Sequence, residues 1–180
     1  MVCNKKRAYA IQRAHQAGIP VHYVPWFRKQ KTREEYDQQL VKLAESYEPD
    51  YILLLGWMHI MSPLWCQTFP NNTLNLHPSL PNTHKGTHGI KDTLEAFKKG
   101  GSSLAGAMIH KVVEEIDSGE VLGKVYTRIN KNDTLNSLKS RINNKEKALV
   151  NYIMLAIFGI TLENLMGYIF MPLAFLMGAP

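Results

Sequence analysis

Asn75, His77 and Asp117 are the residues of this sequence whose types and spacing best fit chemistry. Asn75 and His77 are two positions apart at the end of a predicted strand, so both side chains point to one face of the sheet. Asp117 lies in a tight turn before Gly119. An amide can donate to a carbonyl oxygen, an imidazole can move protons or stabilise an oxyanion, and a carboxylate can orient the imidazole. These roles fit acyl transfer to an amine, although such residue types are more often structural.

The elements that must position these residues alternate between helical and strand periodicity. Helical spacing and helix start signals predict helices over residues 7–18, 63–69, 87–99 and 133–158, and one more after residue 32. Apolar alternation and short apolar runs predict strands over residues 21–24, 50–56, 73–76, 104–113 and 120–129. This order predicts an α/β fold, a mostly parallel Rossmann-like sheet flanked by helices, with a ligand crevice beyond the carboxyl ends of the strands.

Local signals sharpen three of these elements. Thr32 and Glu35 have the spacing of a capping box, which predicts a helix start there, and the residues expected to face inward are Tyr36, Leu40 and Leu43. The near-continuous apolar run at 50–56 is typical of a parallel strand buried on both faces. Asp133 is predicted to cap the last helix and Gly159 to end it.

Composition indicates a globular chain with an anionic partner. The 180 residues are 45% hydrophobic and 20% charged, which excludes a disordered chain. Two cysteines are too few for a disulfide framework, so a reducing compartment is predicted. The chain opens without a signal peptide, and we therefore expect a cytoplasmic location. The net charge of +6 fits a phosphorylated metabolite, a polycarboxylate or a nucleic acid.

Two further features have competing interpretations. Four histidines, His77, His84, His88 and His110, could be taken for a metal cluster, but Gly86 weakens a helix between His84 and His88 and no acidic partner is near them, so no metal site is predicted. The carboxyl-terminal stretch is nearly free of charge. We favour the buried face of the last helix; the alternatives are a membrane anchor, which Gly159, Glu163 and Pro172 would interrupt, and final residues that are not native to a working domain.

The stretches around the candidate residues resemble the signature of the formyltransferase family. They read Asn75-Leu76-His77-Pro78-Ser79-Leu80 and Val112-Val113-Glu114-Glu115-Ile116-Asp117-Ser118-Gly119. More narrowly, residues 2–162 resemble the phosphoribosylglycinamide formyltransferases, because residues 32–37, 56–63 and 141–148 are also similar to that group. The resemblance implies that glycinamide ribonucleotide is formylated by 10-formyltetrahydrofolate in de novo purine (IMP) biosynthesis.

The resemblance also implies a role for individual positions. Asn75, His77 and Asp117 are the implied catalytic residues. The folate co-substrate is implied to contact Asn75 and Asp117 together with Arg33, Met58, His59, Ile60, Met61, Val112, Val113 and Glu114. Asn143 and Glu146 are implied to contact the ribonucleotide. The expected partners are these two small molecules, with no metal and no nucleic acid, and a membrane partner is not favoured.

The sequence departs from the family at its start. The family's first strand, glycine-rich phosphate loop and first helix have no counterpart, so we expect an N-terminally incomplete formyltransferase domain over residues 1–162 and an apolar tail over 163–180. His59 stands where the family often has an arginine. Two alternatives stay open: another formyltetrahydrofolate-using enzyme, such as a tRNA formyltransferase or a hydrolase, and an inactive folate-binding fragment.

Overall fold

The computed structural model of the protein describes residues 1–158, and strands alternate with helices except that the last two strands follow one another directly. The strands are β1 (Val2–Cys3), β2 (His22–Tyr23), β3 (Ile52–Leu55), β4 (Thr73–His77), β5 (Leu104–Lys111) and β6 (Val121–Arg128). The helices are α1 (Tyr9–Gln16), α2 (Arg33–Glu45), α3 (Pro63–Thr68), α4 (Gly89–Lys98) and α5 (Leu135–Phe158). The predicted α/β class is confirmed. The predicted helix end at Gly159 and the tail at 163–180 lie outside the described residues.

The strands form two sheets of unequal size. β1 and β2 pair in parallel, and β3, β4, β5 and β6 form a four-stranded sheet in that order. β3 runs parallel to β4, whereas β5 is antiparallel to both β4 and β6. The predicted parallel arrangement therefore holds for β1 to β4, and an antiparallel pair, β5 and β6, extends the sheet.

Helix α2 begins at the predicted capping box. The Thr32 hydroxyl accepts a hydrogen bond from the backbone N–H of Glu35 at 3.2 Å, and the Glu35 carboxylate accepts one from the N–H of Thr32 at 2.8 Å. Tyr36 and Leu40 are buried and Leu43 is half-buried against the same apolar cluster, as the spacing predicted. The reciprocal bonds satisfy two backbone donors of the first turn that would otherwise have no partner.

Two local predictions need correction. The run at 50–56 contains β3, which is parallel as predicted but only half-buried, because β3 is the outer strand of the four-stranded sheet. At the start of α5 the hydroxyl of Thr134, not Asp133, accepts from the Ser137 backbone N–H at 3.2 Å. Asp133 is instead paired with Arg141, whose hydrogen bonds hold the pKa of that carboxyl well below its usual range.

Alternation along β4 separates a helix-covered face from the face that carries the candidate site. Leu74 and Leu76 pack with Ile109 of β5 against the inner side of α5. Thr73, Asn75 and His77 therefore point to the opposite face. There the Thr73 hydroxyl accepts from the indole N–H of Trp65 in α3 at 3.0 Å. Within residues 1–158, no helix has both the length and the apolar character needed to cross a membrane.

Candidate active site

Strand pairing sets the spacing of the candidate site. Asn75 lies opposite His110 in the β4–β5 register, and His77 lies opposite Met108. Asn75 is half-buried, whereas His77 and His110 are almost fully buried. The side-chain amide nitrogen of Asn75 is 3.2 Å from Nε2 of His110. The sheet thus holds one amide and two imidazoles on a single face.

The connection between β5 and β6 brings the carboxylate of Asp117 to this face. Asp117 has a φ of 52°, a left-handed conformation that aspartate tolerates better than most residues. Close by, a Cβ on Gly119 would collide with the carbonyl of Lys111, so only glycine fits at that position. The turn is therefore fixed by backbone requirements, and they place the acidic side chain over β4 and β5.

The Asp117 carboxylate lies between the two imidazoles. One oxygen is 3.6 Å from Nδ1 of His77, and the other is 3.5 Å from Nε2 of His110. The oxygen facing His77 also accepts the backbone N–H of Gly86 at 2.8 Å. The side chain of Asp117 is 9% exposed, so these interactions are only weakly screened by water.

The loop at residues 84–86 covers the ring of His77. Nε2 of His77 is 2.8 Å from the carbonyl oxygen of His84, which can only accept, so this nitrogen carries a proton. The ring has donors for both neighbouring oxygens only as an imidazolium. The neighbouring Lys85 ammonium bonds to Glu115 at 2.8 Å and to Ser118 at 2.7 Å, on the far side of the acidic turn. The loop and the acidic turn are thereby joined over the imidazole.

The structure brings Asn75, His77 and Asp117 to one place and adds His110 to them. The sequence indicated His110 only as a possible metal ligand. Alternation along β5 indicates only the face on which His110 lies, because Ala105, Ala107 and Ile109 form the apolar face and leave His110 on the other. Within residues 1–158 no group of three or more histidine, cysteine or acidic side chains is arranged to hold a metal ion, and His88 is exposed.

Arg33 lies beside the loop formed by residues 57–61. Its Nε donates to the buried carboxylate of Asp37 at 2.8 Å, and its terminal nitrogen Nη2 donates to the carbonyl of Ile60. The guanidinium carbon is 5.2 Å from the ring centroid of Trp26, within the range of a cation–π interaction. Asp37 and Trp26 thus hold this arginine in place, and its bond to Ile60 joins it to the loop that the resemblance assigned to folate.

The side chains of the loop divide into packed and exposed groups. The ring of His59 contacts those of Trp26, Tyr36 and Trp57 edge-on, with centroids 5.4 to 6.0 Å apart. Burial and the positive charges of Arg33 and Arg28 lower the pKa of His59. Met61 is buried in the core, whereas Met58 and Ile60 are exposed. The indole N–H of Trp57 is buried and has no hydrogen-bond partner among the described residues, which leaves one donor available to a ligand.

The segment that follows β5 lies beside α3. The backbone N–H of Val112 donates to the carbonyl of Thr73 at 2.8 Å, and its side chain packs against the cluster that contains Trp65. Val113 and Glu114 are exposed. Val112 is therefore a structural continuation of β5, and the two exposed residues have the access that a ligand contact requires.

Glu146 and Asn143 lie on α5, the helix that packs against the opposite face of the sheet. Glu146 is buried, and burial raises its pKa to about 7 against the lowering influence of Lys139. With its amide nitrogen facing Glu146, Asn143 donates to that carboxylate at 3.2 Å. The structure thus joins these two residues to each other and gives them no contact with Asn75, His77 or Asp117 among the described interactions.

Comparisons with known proteins agree on one family. The family model described as Formyl transferase matches residues 1–153. The chain is 37% identical to a phosphoribosylglycinamide formyltransferase of Dictyostelium discoideum over 68% of this chain and 65% of that protein. It is 34% identical to the protein of that name from Schizosaccharomyces pombe, over 67% of this chain and 62% of the relative. The chain thus spans somewhat less than two thirds of the length of these relatives.

Solved structures show the same fold. The crystal structure of phosphoribosylglycinamide formyltransferase from Streptococcus pneumoniae TIGR4 superimposes with a TM-score of 0.80 at 27% identity, covering 87% of this chain and 84% of that one. The enzyme of the same name from Campylobacter jejuni gives a TM-score of 0.75 at 31% identity, over 87% and 78% of the two chains. The predicted formyltransferase fold is confirmed by these likenesses.

Proposed function

The chain belongs to the formyl transferase family, and we propose that it transfers a formyl group from 10-formyltetrahydrofolate to the amine of glycinamide ribonucleotide. The observation that carries the proposal is the carboxylate of Asp117 held 3.6 Å from the imidazole of His77, on the face of β4 that also bears Asn75. The names of the relatives support the acceptor. A human relative named as a trifunctional purine biosynthetic protein, 30% identical over 68% of this chain, supports the setting in purine synthesis.

The reaction needs groups that meet charge on the formyl oxygen and that assist one proton transfer. A bond forms between the acceptor amine nitrogen and the formyl carbon, the bond from that carbon to the folate nitrogen breaks, and one proton passes from the amine to the leaving nitrogen. Asn75 supplies an amide N–H for the formyl oxygen, since donors aimed at developing negative charge stabilise it strongly. His77 supplies an N–H from an imidazolium, and Asp117 stabilises that charge.

His77 can act in this way only when its Nε2 proton is free. In the structure this proton is donated to the carbonyl of His84. We assign the formyl oxygen to the place of that carbonyl, so the loop at residues 84–86 moves aside when the formyl donor is bound. The two hydrogen bonds of Lys85 to the acidic turn, and that of Gly86 to Asp117, are the contacts that this movement loosens.

Some residues of the loop at 57–61 are suited to contact a bound folate, and the others support the loop. Trp57 offers an unpartnered indole N–H, Met58 and Ile60 offer exposed backbone and apolar surface, and Arg33 offers positive charge for a carboxylate. Folate supplies the formyl carbon. His59 is packed among aromatic rings, which favours a role in shaping the loop. Met61 supports the loop from inside the core, and the exposed Val113 and Glu114, which follow β5, are our proposed contacts on the other side of the folate.

Asn143 and Glu146 remain our proposed contacts to the ribonucleotide. Glu146 is buried without a cation in hydrogen-bond distance among the described residues, and its raised pKa, about 7, makes a neutral or shared-proton carboxyl available near neutral pH. Such a group can both donate to and accept from ribose hydroxyls.

The first experiment incubates the full chain with 10-formyltetrahydrofolate and glycinamide ribonucleotide and follows the deformylated folate by absorbance. We expect turnover that falls at least about 100-fold in His77→Ala, the effect of removing a group that assists proton transfer. His88→Ala, an exposed histidine outside the site, is the matched control and keeps the wild-type rate. Equal turnover in His77→Ala and His88→Ala would contradict the role assigned to His77.

Calorimetry with each small molecule separates the competing functions. Binding of both folate and ribonucleotide supports the transferase. Folate binding without ribonucleotide binding or turnover identifies a folate-binding module and overturns the proposal. Formylation of methionyl-tRNA in preference to glycinamide ribonucleotide identifies a different acceptor and also overturns it.

A further inference from the structure

His110 occupies a position in which its protonation state can be assigned from geometry. The ring is 2% exposed, and Nδ1 is 2.8 Å from the carbonyl oxygen of Lys111. A carbonyl oxygen only accepts, so Nδ1 carries a proton. In a neutral ring Nε2 is then an acceptor, and it faces the amide nitrogen of Asn75 at 3.2 Å. The neutral ring and the Asn75 amide form a matched acceptor and donor.

This match fixes which end of the Asn75 amide faces which way. An asparagine amide presents two N–H donors at one end and a carbonyl acceptor at the other. With its nitrogen on His110, one N–H is used there and the second remains on the same side of the amide. If Nε2 of His110 were also protonated, it would donate toward Asp117, 3.5 Å away, and the amide would have to turn its oxygen to the ring.

The groups facing His110 come from three elements. From β4 these are Asn75 and His77, whose ring centroid is 6.4 Å away in an edge-to-face arrangement. From the connection after β5 the carboxylate of Asp117 approaches Nε2. On β5 itself the neighbouring Lys111 contributes its carbonyl and directs its ammonium to Glu120 at 2.7 Å. The neutral ring therefore has a partner for each nitrogen without taking Asp117 from His77.

We propose that His110, in its neutral Nδ1–H tautomer, is a positioning residue that holds the Asn75 amide with its N–H toward the reacting group. The inference rests on the proposed function, in which Asn75 donates to the formyl oxygen. An amide turned the other way would present its carbonyl oxygen to developing negative charge, and a repulsive contact would replace a stabilising one. His110 thus acts on the reaction through Asn75 and touches neither substrate.

Two substitutions distinguish positioning from packing. Glutamine can place an amide oxygen near the position of Nε2 and keep an acceptor for Asn75, whereas methionine has similar length and no strong acceptor. We expect His110→Met to lower kcat about 10-fold, the effect of one ordinary hydrogen bond, with KM for the formyl donor unchanged. We expect His110→Gln to stay within about 3-fold of wild type. Equal losses in both variants would overturn the proposal.

A double-mutant cycle tests whether the effect passes through Asn75. If it does, His110→Met causes no further loss of kcat in an Asn75→Ala background, because the residue it positions is already absent. Losses that multiply in the double variant would show that His110 acts independently and would overturn the inference. Urea midpoints of all variants identify any loss that comes from unfolding.

A measurement without turnover separates failure of this inference from failure of the proposed function. Nitrogen-15 NMR of the full chain reports which ring nitrogen of His110 is protonated. A protonated Nδ1, an unprotonated Nε2 and a cross-peak between His110 and the Asn75 side-chain N–H are expected, whether or not the chain transfers formyl groups. A proton on Nε2 in the resting protein would overturn the assignment.

Discussion

Two buried carboxylates, Asp117 and Asp37, lie in surroundings that serve different purposes. Asp37 is fully buried on α2 and bonds to the guanidinium of Arg33 at 2.8 Å. Asp117 lies between two imidazoles and accepts one backbone N–H from a loop. Arginine keeps its charge at every physiological pH, whereas histidine gains and loses a proton near neutrality. The Asp37–Arg33 pair can therefore only stabilise the structure, whereas Asp117 and its histidines can also take part in proton transfer.

The backbone that carries Asp37 is also more regular than the backbone that carries Asp117. Asp37 is on the second turn of a helix whose start is fixed by a capping box. Asp117 is on a left-handed turn that is joined to residues 84–86 by side-chain and backbone hydrogen bonds. A regular helix gives a charge pair one stable geometry. The turn of Asp117 is itself fixed, but the loop at residues 84–86 that is bonded to it can be replaced by a ligand, and binding residues are often found on such loops.

Replacing the carboxylate of Asp117 gives the largest expected effect. Asn suits the left-handed backbone as well as Asp does, so Asp117→Asn removes the charge and keeps the turn. We expect formyl transfer to fall by about 100- to 1000-fold, because the imidazolium of His77 loses its stabilising partner. Steady-state rates with saturating substrates measure this, and the urea midpoint should stay close to that of wild type.

Asp37→Asn is the matched comparison for the same chemical change. Since Asp37 has no assigned part in the reaction, kcat should change less than about 3-fold while the protein becomes less stable. If Asp37→Asn reduced kcat as much as Asp117→Asn, the division between a structural and a reactive carboxylate would be wrong.

Removing the cation of the structural pair gives the next largest effect. Arg33→Met leaves the Asp37 carboxylate buried without its partner, and one of its oxygens already lacks a hydrogen bond among the described residues. We expect a loss of about 3 kcal/mol in the free energy of unfolding. Urea titration measures this loss. The double variant Arg33→Met/Asp37→Asn should recover part of it. If Arg33→Met left the stability unchanged, the arginine would not stabilise the fold and its role would be limited to ligand binding.

The contrast between the two regions explains what the sequence could predict. The capping box at Thr32 and Glu35 acts within one helical turn, and it was predicted correctly. Asn75 and His77 share a strand, so alternation alone placed them on one face. His110 entered the site through the β4–β5 register, which depends on where two distant segments pair. Such long-range pairing leaves little local signal.

The wrong predictions have equally specific causes. Asp133 and Thr134 are both good capping residues. Thr134 caps α5 because Asp133 is bound by Arg141, eight residues along the chain. The residue pattern did not predict β1 because two residues are too few for a detectable alternation. The burial of β3 was overestimated because an apolar run does not reveal whether its strand is inside a sheet or at its end.

Glu146 is a third buried acid, and within residues 1–158 no cation lies in hydrogen-bond distance of its carboxyl. Burial raises its pKa to about 7, so the folded protein binds a proton that the unfolded chain releases above its ordinary pKa near 4.5. The stability is highest below that value and is lost as the pH rises through 7. We expect the free energy of unfolding to fall by about 2 kcal/mol more in wild type than in Glu146→Gln between pH 5 and 8.

Urea titrations of the two proteins at pH 5 and pH 8 measure this difference. Lys139, which opposes the shift, is left in place in both. If the free energy of unfolding depended on pH in the same way in wild type and Glu146→Gln, Glu146 would not be the group that titrates. The comparison would then rest on Asp37 and Asp117 alone.

The smallest expected effect lies in the cap that supports the structural pair. Thr32→Ala removes the hydroxyl that accepts from the Glu35 backbone N–H, one residue before Arg33 and one helical turn before Asp37. We expect a loss of about 1 kcal/mol in the free energy of unfolding, the usual effect of deleting an N-cap. Thr32→Ser keeps the acceptor and is the control. Because the reactive carboxylate of Asp117 does not depend on α2, kcat should be unchanged in both variants, and a parallel loss of kcat in Thr32→Ala would show that the two regions are mechanically coupled.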